Sequence, residues 1–148
     1  MKGYATVLVG VDSEPGAIPA LGRAIDIARG SDAELHVAHA VYIPPSWWGA
    51  APTAGVDVSH LQEASAESLW EIVEEELAKH PDLVVHRHRL EGHPPDALLD
   101  LGEAVGADLI VIGSHGRGEV ASFLLGSTGH RILAHSGADV LVVKHSME

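Results

Sequence analysis

The apolar segment Leu109–Ile112 is followed directly by a segment that contains glycines, hydroxyl side chains and a histidine. The next fifteen residues, Gly113–Ser127, read GSHGRGEVASFLLGS, so bare backbone recurs at both ends of this segment. Glycine permits a positive φ and a close approach of the backbone, and successive N–H groups can then converge on a phosphate. Gly126, Ser127 and Thr128 precede a helical apolar pattern, whose first-turn N–H groups would form a second anion site. This segment therefore favours phosphate binding by backbone amides.

Two familiar phosphate-binding motifs do not fit the segment. No lysine follows Gly118 or Gly126, which excludes a GxxxxGK[ST] loop. Alanine stands at position 121, where a GxGxxG motif that begins at Gly116 would need its last glycine. Glycines that follow a buried strand are also common as simple turn residues. The glycine pattern alone leaves a nucleotide site and a plain turn both open.

The composition restricts the partners and the compartment. The chain of 148 residues has 21 acidic and nine basic residues and a formal charge of −12, which disfavours nonspecific nucleic-acid binding because that relies on lysine and arginine. It has no cysteine, so disulfides and thiolate metal sites are excluded. Its apolar runs are much shorter than the roughly 20 residues of a membrane helix, and its first residues lack a signal-peptide pattern. We expect one cytoplasmic domain, residues 1–148, without membrane insertion.

Apolar patterns along the chain predict strands that alternate with helices. The predicted strands are Thr6–Val11, Glu34–Val41, Leu83–Leu90, Leu109–Ile112 and Val140–Val143. Between them, helical spacing is shown by Leu21 and Ile25, by Leu69, Ile72, Val73 and Leu77, by Leu98 and Leu101, and by Ile132 and Leu133. Such alternation is typical of right-handed βαβ units around a parallel sheet. Ligands of these sheets bind at the carboxyl ends of strands where the strand order changes direction, and Asp12 and the glycine segment both follow strands.

The spacing Gly113-x2-Gly116-x9-Gly126-Ser127 resembles the ATP-binding signature of the universal stress protein family. The resemblance extends over the whole chain. It includes the opening strand with its acidic end, the second strand, the Gly92-x-Pro94 entry to the third helix, and the last two strands. It implies an α/β fold of the adenine-nucleotide alpha-hydrolase-like type, with an open five-stranded parallel sheet in the order 3-2-1-4-5 and two helices on each face.

The same resemblance implies a set of binding residues. Asp12 and the backbone of Ala40 would contact the adenine and the ribose. Ribose and phosphate contacts would come from Gly113, Gly116, Gly126, Ser127 and Thr128, and His115 and Arg117 are further candidates beside the phosphates. The ligand would be ATP, with Mg²⁺ or Mn²⁺ held by its phosphates. The chain departs from the family pattern at Thr128 and Gly129, where an apolar residue and a hydroxyl are usual, so a contact to the terminal phosphate is lost or moves to Thr128.

Three functions are compatible with these residues. The leading interpretation is an ATP-binding stress-response or regulatory module that works as a homodimer with an unidentified protein partner. A slow ATPase or phosphotransferase would need a carboxylate near the terminal phosphate, and Glu119 is the only acid in the glycine segment. A nucleotide-free interaction protein is the third. We expect dimerisation through Val140–Val143, which is apolar on both faces and lies at the sheet edge in the expected order.

The remaining histidine and serine patterns favour structural roles. His86 and His88 share one face of a strand, which permits metal chelation, but arginines alternate with them and no third ligand is evident. We therefore predict a solvated sheet edge there and no protein-bound metal. A triad of Ser114, His115 and Asp12 is disfavoured, because adjacent residues of a tight turn rarely present a nucleophile to its base and the G-x-S-x-G motif is missing.

Overall fold

The computed structural model describes residues 3–12, 17–41, 58–114 and 127–144, and the side chains of residues 3–12, 18–41, 65–114 and 129–144. Strands and helices alternate along these residues as the apolar patterns predict. They are β1 (Thr6–Gly10), α1 (Ala17–Ser31), β2 (Glu34–Val41), α2 (Val58–Ala78), β3 (Val85–Glu91), α3 (Pro94–Val105), β4 (Leu109–Gly113), α4 (Ser127–His135) and β5 (Asp139–Val143). Among the described helices, none combines the length and the apolar character needed to span a bilayer.

The five strands form one parallel sheet in the order β3-β2-β1-β4-β5. This confirms the order and direction that the family resemblance implies. From β1 the chain first adds β2 and β3 on one side, and it then crosses back to add β4 and β5 on the other. The strand order therefore changes direction between β1 and β4, which is the usual ligand-binding position of an open α/β sheet.

Two helices cover each face of the sheet, as expected. Successive residues of a strand point to opposite faces, so β1 directs Val7 and Val9 to one face and Leu8 to the other. The first face packs against α1 and α2, and the second packs against α3 and α4. The buried helical side chains include Leu21, Ile25, Leu69, Trp70, Val73 and Leu77 on the first face, and Leu98 and Ile132 on the second.

Two glycines allow α3 to lie close to the sheet. A Cβ atom on Gly10 of β1 would lie 2.8 Å from Cδ1 of Leu98, and one on Gly102 of α3 would lie 3.2 Å from Cδ1 of Ile110. A real Cβ atom at the first distance would force Leu98 to move. The close packing fixes the height of α3 above β1 and β4, and therefore the position of its amino end beside the carboxyl ends of these strands.

Two apolar helix residues do not face the core. Ile72 of α2 and Leu133 of α4 are 45% and 51% exposed, although their spacing placed them among the apolar positions. Each lies beside a fully buried residue, Val73 or Ile132. Because neighbours in a helix are about 100° apart around its axis, the residue next to the centre of the buried face turns toward solvent. The sequence prediction was wrong for these two side chains because it could not locate the centre of that face.

Candidate functional site

Three predicted site residues lie at the carboxyl ends of adjacent strands. Gly10 pairs with Ala38 across the β1–β2 ladder, so counting on along this register brings Asp12 beside Ala40. Val9 pairs with Val111 across the β1–β4 ladder, so Val11 comes level with Gly113 in the same way. Neighbouring strands of a sheet lie about 4.8 Å apart. The backbones at Asp12, Ala40 and Gly113 therefore form one continuous edge, which we call the carboxyl rim.

Hydrogen bonds hold the backbone of the carboxyl rim in place. The amide of Val11 donates to the carbonyl of Ala38 at 2.8 Å, and the amide of Ser114 donates to the carbonyl of Val143 at 2.9 Å. Both bonds continue the sheet beyond its last paired residues. Asp12 is exposed, so its side chain is accessible to a ligand at the point where this ordered backbone ends.

His39 is a positioning residue that the sequence analysis did not identify. Its half-buried ring lies with Nδ1 2.8 Å from the carbonyl oxygen of Val11. Because a carbonyl can only accept, Nδ1 carries the proton and donates it. This bond ties the end of β2 to the residue before Asp12. The sequence shows only that a histidine directly precedes Ala40. Its contact with Val11 becomes apparent from the pairing of β1 with β2.

The amino end of α4 contributes to the same edge. α4 lies between the parallel strands β4 and β5 along the chain, so it runs antiparallel to them and starts at the carboxyl rim. Ser127 and Thr128 are its first two residues. The first turn of a helix has N–H groups without helical partners and carries the positive end of the helix dipole. This arrangement is suited to a phosphate or another anion.

Four of the predicted site residues, His115, Gly116, Arg117 and Gly126, lie outside the described residues. Their assignment to the phosphates stays a prediction. The backbones of Asp12, Ala40, Gly113, Ser127 and Thr128 are described and lie along or beside the rim. Strand pairing brings the first three residues together, and the direction of α4 places the backbones of Ser127 and Thr128 at the same end of the sheet.

An exposed ion pair links the first turn of α3 to α4. Nε of Arg131 donates to Oδ1 of Asp96 at 2.7 Å, and Nδ1 of His93 lies 3.3 Å from Oδ2 of the same carboxylate. The hydrogen bond from Arg131 is the main cause that lowers the pKa of Asp96 below its ordinary value. Asp96 lies in the first turn of α3, where the helix dipole also favours a negative charge. The sequence gives no sign of this pair, because its members are 35 residues apart.

We expect Arg131→Gln to raise the pKa of Asp96 toward its ordinary value of 3.8, because the variant loses the charged donor. A carbon-detected NMR titration of the Asp96 carboxyl group measures this shift. Since the folded-state pKa is the lowered one, the pair stabilises the protein above the ordinary pKa, and that stability is lost as the pH falls through the lowered value. Arg131→Gln should therefore melt at a lower temperature than the parent at neutral pH, and this difference should shrink as the pH falls below the ordinary pKa of 3.8.

The control for this titration is Arg23→Gln, which removes an exposed arginine from α1 on the opposite face of the sheet. It should leave the pKa of Asp96 unchanged. Equal pKa values for Asp96 in the parent and in Arg131→Gln would show that the ion pair does not form in solution.

Comparisons with known proteins bear on the family and the fold. The universal stress protein family model matches residues 3–144. A universal stress protein of Mycobacterium tuberculosis is 34% identical to this chain, over 97% of the chain and 98% of the relative. A solved universal stress protein in complex with cAMP is 29% identical, with a TM-score of 0.71 over 98% of this chain and all of that one. UspA of Lactobacillus plantarum, 24% identical, shares the fold with a TM-score of 0.77 over 97% of this chain and 99% of its own.

Proposed function

This chain belongs to the universal stress protein family, and on that premise we propose that it binds an adenine nucleotide at the carboxyl rim and acts as a dimeric regulatory module. The observation that carries the proposal is the convergence of Asp12, Ala40, Gly113 and the amino end of α4 where the strand order changes direction. The glycine spacing that resembles the family's ATP-binding signature follows this rim in sequence. The relative solved with cAMP, at 29% identity, supports an adenine nucleotide as the ligand class.

ATP is the nucleotide that we expect. The carboxylate of Asp12 accepts hydrogen bonds, so it suits the ribose hydroxyls, whereas the amides of the glycine segment and of α4 suit phosphates. In a chain with a formal charge of −12, oriented amides supply the local positive potential that a polyphosphate requires. Mg²⁺ or Mn²⁺ would arrive with ATP and be held mainly by its phosphates, because Mg²⁺ commonly binds proteins through substrate phosphates and few carboxylates.

As a regulator, the protein would respond to the nucleotide by a change of conformation. A ligand shifts the balance between two conformations only if it binds one of them more tightly. We place this switch in the cytoplasm. A chain without cysteine forms no disulfide, so its fold does not depend on an oxidising compartment. The surface that changes would then contact a protein partner.

We expect Asp12→Ala to weaken adenosine and ATP alike, because the lost carboxylate would contact the ribose hydroxyls that these two ligands share. Loss of a hydrogen bond to a charged group costs about 1.5–3 kcal/mol, so affinity should fall about tenfold or more. Isothermal titration calorimetry measures each dissociation constant. Asp26→Ala, which removes an exposed aspartate from α1, is the control and should bind as the parent does. A loss confined to ATP would move Asp12 to the phosphate end.

We expect Gly126→Val to weaken ATP by more than about 1.4 kcal/mol, a factor of ten, because a branched side chain would obstruct the approaching phosphate. The affinity for adenosine should change much less. The same calorimetry compares both ligands, and equal losses for the two would show damage to the fold instead. Phosphate release with Mg²⁺, measured on the parent, tests the hydrolytic alternative in parallel.

The open edge at β5 supports the dimer. The amide of Asp139 donates to the carbonyl of Asp108, and the carbonyl of Val143 accepts from Ser114, so alternate residues of β5 face β4. The residues between them, Val140 and Val142, therefore direct their N–H and C=O groups away from the sheet. Their side chains are only partly buried. A two-fold axis would pair this edge with its copy in antiparallel fashion and would satisfy these groups.

We expect the parent to sediment as a dimer of about 31 kDa, twice the chain mass of 15.5 kDa. Val142→Pro should sediment as a monomer, because proline removes an outward N–H donor without breaking the β4–β5 ladder. Val142→Ala keeps that donor and is the matched control, which should stay dimeric. A parent that is monomeric at tens of micromolar, or a proline variant that stays fully dimeric, would contradict an interface at β5.

A further inference from the structure

A cluster of three histidines and one glutamate lies at the edge of the sheet opposite the carboxyl rim. Glu34 is the first residue of β2, and His36 follows two positions later on the same strand face. His36 pairs with His86 of β3, and Ala38 pairs with His88, so the alternating positions of both strands share one face. Glu34 lies six residues before Ala40, about 20 Å along an extended strand. Glu34, His36 and His86 therefore lie toward the amino ends of β2 and β3, whereas His88, level with Ala38, lies nearer the rim.

Three side chains of this cluster bring possible ligand atoms together. Oε2 of Glu34 lies 3.8 Å from Nε2 of His36 and 3.8 Å from Nε2 of His86. One donor atom from each of the three residues lies within 4.8 Å of the other two. Around a tetrahedral zinc ion with bonds of 2.0–2.1 Å, ligand atoms are about 3.4 Å apart. The two pairs that include Glu34 thus need a contraction of about 0.4 Å, and the pair of histidine nitrogens, up to 4.8 Å apart, needs one of up to about 1.4 Å.

The exposure of the side chains permits that contraction. The His36 side chain is only 8% exposed, whereas those of Glu34 and His86 are 54% and 46% exposed. The buried ring is held by the strands, and the two exposed side chains are free to rotate toward it. One fixed ligand with two adjustable ones can close around an ion without moving the backbone.

His88 orients the buried ring. Nδ1 of His36 lies 2.8 Å from Nε2 of His88, so one of the two nitrogens donates to the other. When Nε2 of His36 binds a metal, Nδ1 carries the proton and donates it to His88. Metal-binding histidines almost always donate their other N–H to such a partner, which fixes the tautomer and the ring orientation. The ring of His36 also stacks on that of His86, with centroids 4.6 Å apart, so the exposed His86 ring must rotate before both rings can direct a nitrogen lone pair at one ion.

The protonation state of the cluster is compatible with metal binding. Burial is the main cause that lowers the pKa of His36, and the neighbouring His86 and His88 lower it further, while Glu34 opposes them. Burial also lowers the pKa of His88, with His86 as the second cause. Neutral imidazole is the form that offers a lone pair to a metal.

We propose that Glu34, His36 and His86 bind one divalent transition-metal ion of the zinc class, with His88 as the positioning residue. Two imidazole nitrogens and one carboxylate oxygen suit zinc better than Mg²⁺ or Ca²⁺, which prefer oxygen ligands alone. A fourth position on the exposed side of the cluster would be filled by water or by a group from outside. The ion would link the first residues of β2 to those of β3 at the edge of the sheet.

Zinc titration of the tag-free, nucleotide-free protein, in competition with a chromogenic zinc chelator, tests the proposal. The parent should bind one equivalent with an affinity that His86→Ala and Glu34→Gln each reduce at least tenfold. Both substitutions are at exposed positions, so the variants should fold, and circular dichroism with a thermal melt verifies this. The control is His135→Ala, which removes an exposed histidine from the last turn of α4 and should bind zinc as the parent does.

His88→Ala separates positioning from ligation. It leaves the three ligands in place, so it should retain one equivalent of zinc and lose about tenfold in affinity, the usual effect of removing the partner of a ligating histidine. A parent that binds no stoichiometric zinc would overturn the proposal. The same follows if His86→Ala and Glu34→Gln bind as tightly as the parent, since the zinc would then be held by other histidines of the 11 in the chain.

Discussion

The parallel pairing of β1 with β2 on one side and with β4 on the other is the constraint on which the rest of this structure depends. It sets the register that carries Asp12, Ala40 and Gly113 to one rim. It also sets the direction of the helices, because each helix must return from the carboxyl end of one parallel strand to the amino end of the next. The position of β1 also determines the close contact between Gly10 and Leu98, because α3 packs against β1 at this glycine. Misplacing β1 would separate the rim residues and misdirect the helices.

The fixed helix direction makes the two ends of the sheet chemically different. The helices begin at the carboxyl rim, so their free N–H groups and positive dipole ends gather where an anion would bind. They end at the opposite edge, where carbonyl groups and negative dipole ends favour a cation. The carboxylate of Asp108 lies at that edge and accepts from the amides of Ala5 and Thr6 at 2.9 and 3.0 Å. The proposed anion site follows from this helix direction, whereas the proposed metal site follows from the pairing of β2 with β3.

Periodic and local signals in the sequence predict most of the fold and part of the site. The strands, the helices and the glycine spacing depend on neighbours in sequence, so their positions can be predicted to within one or two residues. Contacts that depend on strand register cannot be predicted in this way. The sequence indicates that His86 and His88 share one face of β3. Only the strand register shows that His36 and Glu34 of β2 lie beside them. The pairing of Asp96 with Arg131 was likewise hidden, because it depends on how two helices pack side by side.

The two edge strands of the sheet are protected in different ways, and this explains why we place the dimer at only one of them. On the α2 face of β3, Arg87 forms an ion pair with Glu74, and the guanidinium of Arg89 lies 5.3 Å from the centre of the Trp70 ring. Charged side chains on an edge strand oppose pairing with another chain, because pairing would remove them from water. The segment Val140–Val143 has no such charges and exposes part of its apolar surface. Pairing at β5 would therefore bury apolar surface at little desolvation cost, and it would leave β3 and its histidine cluster accessible to solvent in the proposed dimer.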